Sequence, residues 1–418
     1  MSTVLFVLRT STILLKPTAN VQTQLSNFAE KSAALWNMAN YERRQAYIEH
    51  LKAPSYAKQC ATFKSSEPFK NLGTCKAQAL LQKLNEAWRS YYALLRLKKK
   101  GKLPTHIRRL SPPRYWKKNG KRQAKGFYMR NDGYHINEDT ISISKNIKIP
   151  YRSGELWVGK QGRLEVLKDE LTGKWYAHIP VEVPTEPPSR TDAKRKASLD
   201  LGICNLATLH IEGTKPTIYS GRAVLSDWVY HTKKIAEKQS QLPKRKHTSK
   251  RINITFRKRQ RRLKHAVNAM LRNIFEKLEH ENVGELAIGD LNGIRAKAQH
   301  GFNGNQKLHN FWVYNQIEKR IMELAEEYGI KIMKVSERDT SKTCSLCGKQ
   351  HNGRIERGLM VCPEKHRSLN ADVNGAVNIL NVAVNRFPSV LSTDLVGTSG
   401  SRLMAEPMLL RWNYNEWQ

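Results

Sequence analysis

Apolar and polar positions follow two different periods along this 418-residue chain, and the period changes at defined places. Residues 1–15 are rich in β-branched and aromatic side chains, which predicts a strand. Residues 16–104 carry apolar side chains at helical spacing in two stretches separated near Pro54, and the second ends in a basic turn before Gly101. Two long helical stretches are therefore expected after the first strand.

Residues 105–185 return to a strand pattern. Short apolar runs such as GFYMR, TISIS and WYAHIPVEV are separated by glycine, proline and polar residues. This pattern predicts a small antiparallel barrel that the strand at residues 1–15 completes. The polar, proline-containing segment TEPPSRTDAKRK that follows predicts a linker at 186–196 and a domain boundary there.

Strands and helices alternate beyond the linker. The pattern predicts, in order, a strand in ASLDLGICNLATLHI, a basic helical region at 226–280, a strand at 286–290, a helix at 310–328, a strand at 330–336, a cysteine-containing segment at 341–366 and a helix at 372–386. The tail at 387–418 has a turn-rich composition that favours disorder.

Charge narrows the class of partner. The chain has 72 Lys and Arg against 36 Asp and Glu, a net charge of +36. Such a chain repels itself unless a polyanion offsets the charge, so nucleic acid is the predicted partner. The run RKRQRRLKH supplies candidate backbone contacts, although a solvated charged face is the alternative. These candidates are Arg257, Lys258, Arg259, Arg261, Arg262 and Lys264.

A membrane or secreted protein is not expected. Arg9 interrupts the apolar N-terminus, no uncharged run reaches 18 residues, and no small-residue cleavage site follows. Three isolated cysteines do not form a disulfide framework, which indicates a reducing compartment such as a prokaryotic cytoplasm, at the nucleoid. These cysteines are Cys60, Cys75 and Cys204.

Three carboxylates stand at the ends of predicted elements. Asp200 lies inside a strand, where aspartate is depleted, and this favours a functional role. Asp290 follows a buried strand, and Asp372 opens a helix, where a first-turn acid of purely structural role is the alternative. Carboxylates collected from distant strands are typical of RNase H-like nucleases, which use them to bind two divalent ions.

The remaining cysteines have the spacing of a zinc site. CSLC provides Cys344 and Cys347, and Cys362 follows in CPEKH. Lys365 stands where a second CxxC would place its last cysteine, so His366 is the preferred fourth ligand of one structural Zn²⁺ and His351 the second choice. A degenerate knuckle without metal is the alternative.

Three motifs together, SLDLGICNLAT, SERDTSKTCSLCG and ADVNGAVNIL, resemble the TnpB-type RNA-guided endonucleases of insertion sequences. This family is related to type V CRISPR effectors and to the Fanzor proteins. The resemblance extends to about residue 386. It implies a multi-domain α+β chain: an oligonucleotide-binding-like wedge barrel (1–15 plus 105–185), a helical recognition lobe (16–104), the linker (186–196), a RuvC-like, RNase H-like α/β nuclease domain (197–386) with a zinc-binding insertion (341–368), and the tail (387–418).

The same resemblance implies an activity and its partners. A guide RNA from the transposon end would direct cleavage of double-stranded DNA beside a short motif, with base pairing supplying the specificity. The protein would act as a monomer with its RNA and would use two Mg²⁺ ions.

The family's catalytic acids are matched in part. Asp200 and Asp372 match the first and third acids, whereas Gly289 stands where most members have a glutamate. Asp290 is one residue further, and a one-residue step along a strand turns the side chain to the opposite face. Glu337 matches the relocated glutamate of Fanzor proteins and of some TnpB-like proteins.

The sequence is also compatible with other roles for Glu337 and for the whole protein. Glu337 has the alternative of an exposed glutamate paired with Arg338 or Lys342. The missing acid at Gly289 favours a nuclease-dead, RNA-guided DNA-binding repressor, whereas the intact Asp200 and Asp372 favour an endonuclease. A DNA-binding transposon accessory protein that uses no RNA is a third, more remote hypothesis.

Overall fold

The structure, a computed structural model, divides into two compact units, Met1–Thr185 and Glu186–Gln418. It describes residues 5–104, 107, 109–118, 120–154, 156–185, 193, 195–290, 310–311, 314–336, 340, 342–350, 354–355, 358–384 and 407–418. Strand structure begins at Arg195, inside the predicted linker.

The first unit combines helices with one antiparallel sheet. Its helices are α1 (Ala19–Ile48), α2 (Tyr56–Phe63), α3 (Glu67–Leu72) and α4 (Thr74–Lys99). Its strands are β1 (Leu5–Leu15), β2 (Lys117–Lys118), β3 (Lys121–Arg122), β4 (Gly126–Met129), β5 (His135–Ile136), β6 (Thr140–Ser144), β7 (Ile147–Arg152), β8 (Lys160–Gln161), β9 (Leu164–Lys168) and β10 (Trp175–Thr185).

Eight of these strands form a half-barrel in the order β4-β9-β10-β1-β7-β6-β5, with β8 paired to β10. Strand β1 pairs antiparallel with β10 over its whole length, from Leu5 opposite Thr185 to Leu15 opposite Trp175. The N-terminal strand therefore belongs to this sheet, as its apolar pattern predicts. Ile13 and Ala177, which lie opposite each other on these two strands, are fully buried in the core of the half-barrel.

The second unit is built on a mixed sheet. Its helices are α5 (Arg222–Ser240), α6 (Lys250–His280), α7 (Tyr314–Tyr328) and α8 (Ala371–Ala383). Its strands are β11 (Arg195–Leu201), β12 (Asn205–Ile211), β13 (Thr217–Ser220), β14 (Val283–Gly289), β15 (Lys331–Val335), β16 (Arg354–Ile355), β17 (Leu359–Cys362), β18 (Arg367–Asn370) and β19 (Met408–Arg411). The sheet order is β15-β14-β11-β12-β13-β19, and β16, β17 and β18 form a separate small sheet.

The two faces of the large sheet carry different side chains. Leu199 and Ile288 lie in a core with α6 and α7, where Phe275 and Ile317 are fully buried. Successive strand residues point to opposite faces, so Ser198 and Asp200 lie on the other face. Helix α8 packs there, since the Ser198 hydroxyl donates a 2.6 Å hydrogen bond to the carbonyl of Ala376.

The C-terminal residues 407–418 correct the expectation of a disordered tail. Strand β19 pairs parallel with β13, and Trp412 and Trp417 are buried in the core of the second unit. The indole Nε1 of Trp417 donates to the carbonyl of Ala266 in α6 at 3.0 Å. Residues 387–406 of the predicted tail lie outside the described residues.

The predicted α+β class is confirmed by these two units. In the described part of the chain, no helix has the length and apolar character needed to cross a membrane.

Candidate active site

Asp200 is the penultimate residue of β11, and its side chain lies directly against α8. A Cβ atom at Gly375 of this helix would lie 2.7 Å from Oδ2 of Asp200. Any larger residue at position 375 would therefore displace this carboxylate from its place against the helix.

Asp372 lies in the first turn of α8, but it does not cap the helix. Asn370 is the N-cap: its Oδ1 accepts hydrogen bonds from the backbone N–H groups of Asp372 (2.9 Å) and Val373 (3.3 Å). The carboxylate of Asp372 instead accepts a 2.6 Å hydrogen bond on Oδ2 from Nδ2 of Asn205, the first residue of β12. Sequence reasoning missed Asn205, whose signal was an asparagine at the start of an apolar strand.

The electrostatics of Asp200 fit a cation site. Burial and, after it, repulsion from the Asp372 carboxylate raise the pKa of Asp200 to about 7, against the opposing effect of the Leu201 N–H. A buried carboxylate with a second carboxylate beside it offers the oxygen donors that a hard divalent cation prefers. The residues present therefore suit a magnesium-type ion.

Gly289 lies beside Asp200 in the sheet. Strand β14 runs parallel to β11, with Ser198 paired to Ala287 and Leu199 to Ile288. The next step of this register brings Gly289 level with Asp200, on the same face. Asp290 follows with an exposed side chain, and its backbone N–H donates to the carbonyl of Val335 at 2.7 Å. Alternation gives Asp290 the opposite face from Asp200.

Strand β15 is parallel to β14, as the proposal for Glu337 requires, and pairs Val335 with Gly289. The carboxyl ends of β11, β14 and β15 therefore meet at the same edge of the sheet. Glu337 itself lies outside the described residues.

The predicted cysteine ligands come together. The sulfur atoms of Cys344, Cys347 and Cys362 lie within 4.8 Å of one another, a group that could hold a metal ion. Burial raises the pKa of Cys344 to about 12. The described His366 is exposed, at a positive φ of 49°, and does not belong to this group. His351 lies outside the described residues.

The basic run of α6 is divided by burial. Arg259 is buried, with its guanidinium 4.8 Å from the ring centres of both Trp228 and Phe256. Arg262 donates to the carboxylate of Asp227 at 2.7 Å. These two side chains hold α5 against α6, which corrects the expectation that Arg259 faces a ligand. The exposed members are Arg257, Lys258, Arg261 and Lys264.

Solved structures and family models that resemble this chain are those of RNA-guided effectors and transposon proteins. A solved complex of Cas12f1 with its single-guide RNA and target DNA superimposes with a TM-score of 0.55, at 16% identity, over 87% of this chain and 83% of that one. The fold is therefore that of Cas12f-type effectors. A family model described as "Probable transposase" (OrfB_IS605) matches residues 178–295, and a "Cas12f1-like, TNB domain" model matches residues 314–379.

Full-length relatives define the family. The TnpB-like protein ORF457 of Acidianus two-tailed virus is 33% identical over 411 residues, which span 90% of this chain and 87% of that protein. InsQ of Escherichia coli (strain K12), named as an RNA-guided DNA endonuclease, is 25% identical over 94% of this chain and 96% of its own length. The chain belongs to the TnpB family.

Proposed function

We propose that this protein is an RNA-guided, metal-dependent DNA endonuclease encoded by an insertion sequence. It cleaves double-stranded DNA matched to a transposon-derived guide RNA, next to a short motif. The observation that carries the proposal is that Asp200 and Asp372 lie close together at one edge of the sheet. They come from the first strand of the second unit and from helix α8, which are far apart in sequence. InsQ, a relative named as an RNA-guided DNA endonuclease, supports the same activity.

The cleavage centre consists of Asp200, Glu337 and Asp372. Two Mg²⁺ ions bound there would activate water and stabilise the leaving oxygen of the phosphodiester. Asp200 and Asp372 supply carboxylate oxygens, and Asn205 holds Oδ2 of Asp372 so that its other oxygen can turn towards the cation. Glu337 supplies the acid that Gly289 lacks, because it follows the end of a strand whose last residue, Val335, is paired with Gly289.

Cys344, Cys347 and Cys362 hold one structural Zn²⁺, a role supported by their convergence within 4.8 Å. His366 is the proposed fourth ligand, although its side chain would have to turn towards the sulfur atoms, and His351 is the second choice. Alanine at His366 should lower zinc affinity measured with a chelating dye if it is the ligand, and alanine at His351 should do so otherwise.

The guide RNA and the target DNA are the partners, and the protein acts as a monomer with its RNA. The exposed residues Arg257, Lys258, Arg261 and Lys264 of α6 contact phosphates. The site of action is the nucleoid of a prokaryotic-type cytoplasm, since the substrate is DNA.

One observation favours a second candidate, a nuclease-dead, RNA-guided DNA-binding repressor of the same family. Gly289 stands level with Asp200, where a third acid would complete the cation site. If Glu337 does not supply that acid, the protein would bind matched DNA without cutting it.

A cleavage assay separates the two candidates. RNA that co-purifies with the protein is sequenced, and DNA matched to that RNA is incubated with the complex in Mg²⁺. Cutting is expected in the wild type and in Asp290→Ala, and is expected to be lost in Asp200→Ala, Asp372→Ala and Glu337→Ala. Binding of matched DNA without cutting by the wild type would establish the repressor instead.

A further inference from the structure

Helix α8 carries two buried asparagines that the cleavage centre does not use. The side chain of Asn374 is fully buried and that of Asn378 is 4% exposed. Both lie in a helix whose other buried positions are apolar or very small, such as Val373, Gly375 and Ile379. A buried amide is costly unless its hydrogen bonds are made, so each needs a structural or functional reason.

Both amides bind the loop that enters the cysteine group. Asn374 accepts from the backbone N–H of Ser345 at 2.7 Å and donates to the carbonyl of Thr343 at 2.8 Å. Asn378 donates to the carbonyls of Thr340 (2.8 Å) and Thr343 (2.6 Å). Thr343 and Ser345 flank Cys344, so three of these four hydrogen bonds fix the backbone on the two sides of its thiol.

The same helix faces the carboxylates on its other side. At 100° per residue, Asn374 and Asn378 lie on a face roughly opposite to Asp372 and Ala376. That opposite face holds Asp372 and rests on β11 through Ala376, while Gly375, about midway between the two faces, meets the Asp200 carboxylate. The cysteine segment is also joined to the helix directly, because β18 ends at Asn370 and α8 begins at Ala371.

We propose that Asn374 and Asn378 are positioning residues that couple the three-thiol group to the Asp200 and Asp372 carboxylates. A metal ion on the thiols fixes the loop around Cys344. The two amides then fix α8, and α8 fixes Asp372 against Asp200. Zinc at the cysteines therefore sets the affinity of the carboxylates for a divalent cation. The proposal rests on the proposed function only in taking these carboxylates as cation ligands.

The test measures Mn²⁺ binding to the full-length protein by calorimetry, with Asp200→Ala as the blank. Asn374→Leu and Asn378→Leu keep the branching at Cγ, remove the hydrogen-bonding groups and add no charge. Asn381→Leu, on the same helix but outside the amide contacts described, is the control for the larger side chain. With zinc bound, we expect the first two to weaken Mn²⁺ binding about tenfold or more and the control to change it less than about twofold.

Removing zinc from the wild type tests the coupling without a substitution that could disturb folding. Dialysis against a chelator, then against buffer, should weaken Mn²⁺ binding by a similar factor. The same treatment of the double variant Asn374→Leu/Asn378→Leu should add less than about twofold, because both amides that carry the coupling are gone. Equal losses on zinc removal in wild type and variant, no loss in the wild type, or a wild type that binds no zinc would each overturn the proposal.

These measurements need neither guide RNA nor DNA. A chain that shows the coupling but does not cut matched DNA would contradict the proposed function and leave the coupling standing. A chain that cuts DNA but shows no coupling would support the proposed function and contradict the coupling.

Discussion

At the scale of single residues, two glycines decide what the cleavage centre contains. Gly375 makes room for Asp200, because a Cβ there would lie 2.7 Å from Oδ2. Gly289 stands level with Asp200, at the position where the resemblance to the family predicts a glutamate. The sequence motifs indicated Asp200 and Asp372, but the partner amide of Asn205 could not be inferred, since strand pairing and not sequence distance brings it to Asp372.

The position of Gly289 predicts a rescue. If Glu337 replaces the acid missing there, Glu337→Ala should abolish cleavage, and adding Gly289→Glu should restore part of it, because residue 289 is level with Asp200. Initial rates on matched DNA in Mg²⁺ measure the effect. Glu337→Ala with Asp290→Glu is the control and should stay inactive, since position 290 faces away. If the double variant Glu337→Ala/Gly289→Glu folds but does not cut DNA, Glu337 does not replace the acid missing at position 289.

The pKa of Asp200 predicts how stability depends on pH in metal-free protein. Its folded pKa of about 7 lies above the ordinary value of 3.8. This group therefore stabilises the fold at pH below about 4, and that contribution is lost as the pH rises to 7 and above. Asp200→Asn does not titrate, so its free energy of unfolding should exceed that of the wild type at pH 8 by up to about 4 kcal/mol.

Urea unfolding in the presence of a chelator measures this difference at pH 5 and pH 8. The excess stability of Asp200→Asn should be larger at pH 8. Asp290→Asn, at an exposed position, is the control for the substitution itself. A difference that is the same at both pH values would show that the Asp200 carboxylate is not held in a costly environment.

At the scale of elements, hydrophobic periodicity located the strands and helices that build the core, including β1, β11 and the long helix α6. It failed at the C-terminus. The apolar run Met408–Leu410 is short, and its turn-rich neighbours outweigh it in any local pattern. Its strand structure comes from pairing with β13 and from burial of two tryptophans beside α6, which are contacts distant in sequence.

Removing one of these tryptophans should therefore destabilise the second unit. Trp417→Ala loses a buried indole, its edge-on contact with Tyr219 and its hydrogen bond to Ala266. The expected loss is about 3–5 kcal/mol in the free energy of unfolding, measured in urea. Tyr414→Ala, which truncates a half-exposed ring in the same segment, should cost much less. Equal costs would mean that the C-terminal strand does not pack on the core.

At the scale of the whole molecule, the net charge of +36 predicts a polyanionic partner, but it does not say which side chains meet it. In the structure, some basic side chains of α6 are buried against α5 and others are exposed to solvent. Arg259 is enclosed by aromatic rings, whereas Arg261 is exposed two residues away. Composition cannot make this distinction, because burial depends on how α5 and α6 pack.

This difference in burial predicts that substituting Arg261 changes RNA binding, whereas substituting Arg259 changes thermal stability. Arg261→Ala should reduce the slope of log affinity for the co-purified RNA against log salt by about one unit, because one phosphate contact is lost. Its thermal stability should stay close to that of the wild type. Arg259→Leu should lower the thermal stability, since it breaks the hydrogen bond to Thr232 and the stacking between α5 and α6.

Filter binding from low to high salt measures the slope, and Arg272→Ala is the matched control. Arg272 lies on the same helix but pairs with Glu327 at 3.8 Å, so its removal should leave the salt slope unchanged. An unchanged slope in Arg261→Ala, together with a reduced slope in Arg272→Ala, would place the RNA at the other end of α6. The charge of the helix would then act on the RNA through a surface different from the exposed face at Arg257–Lys264.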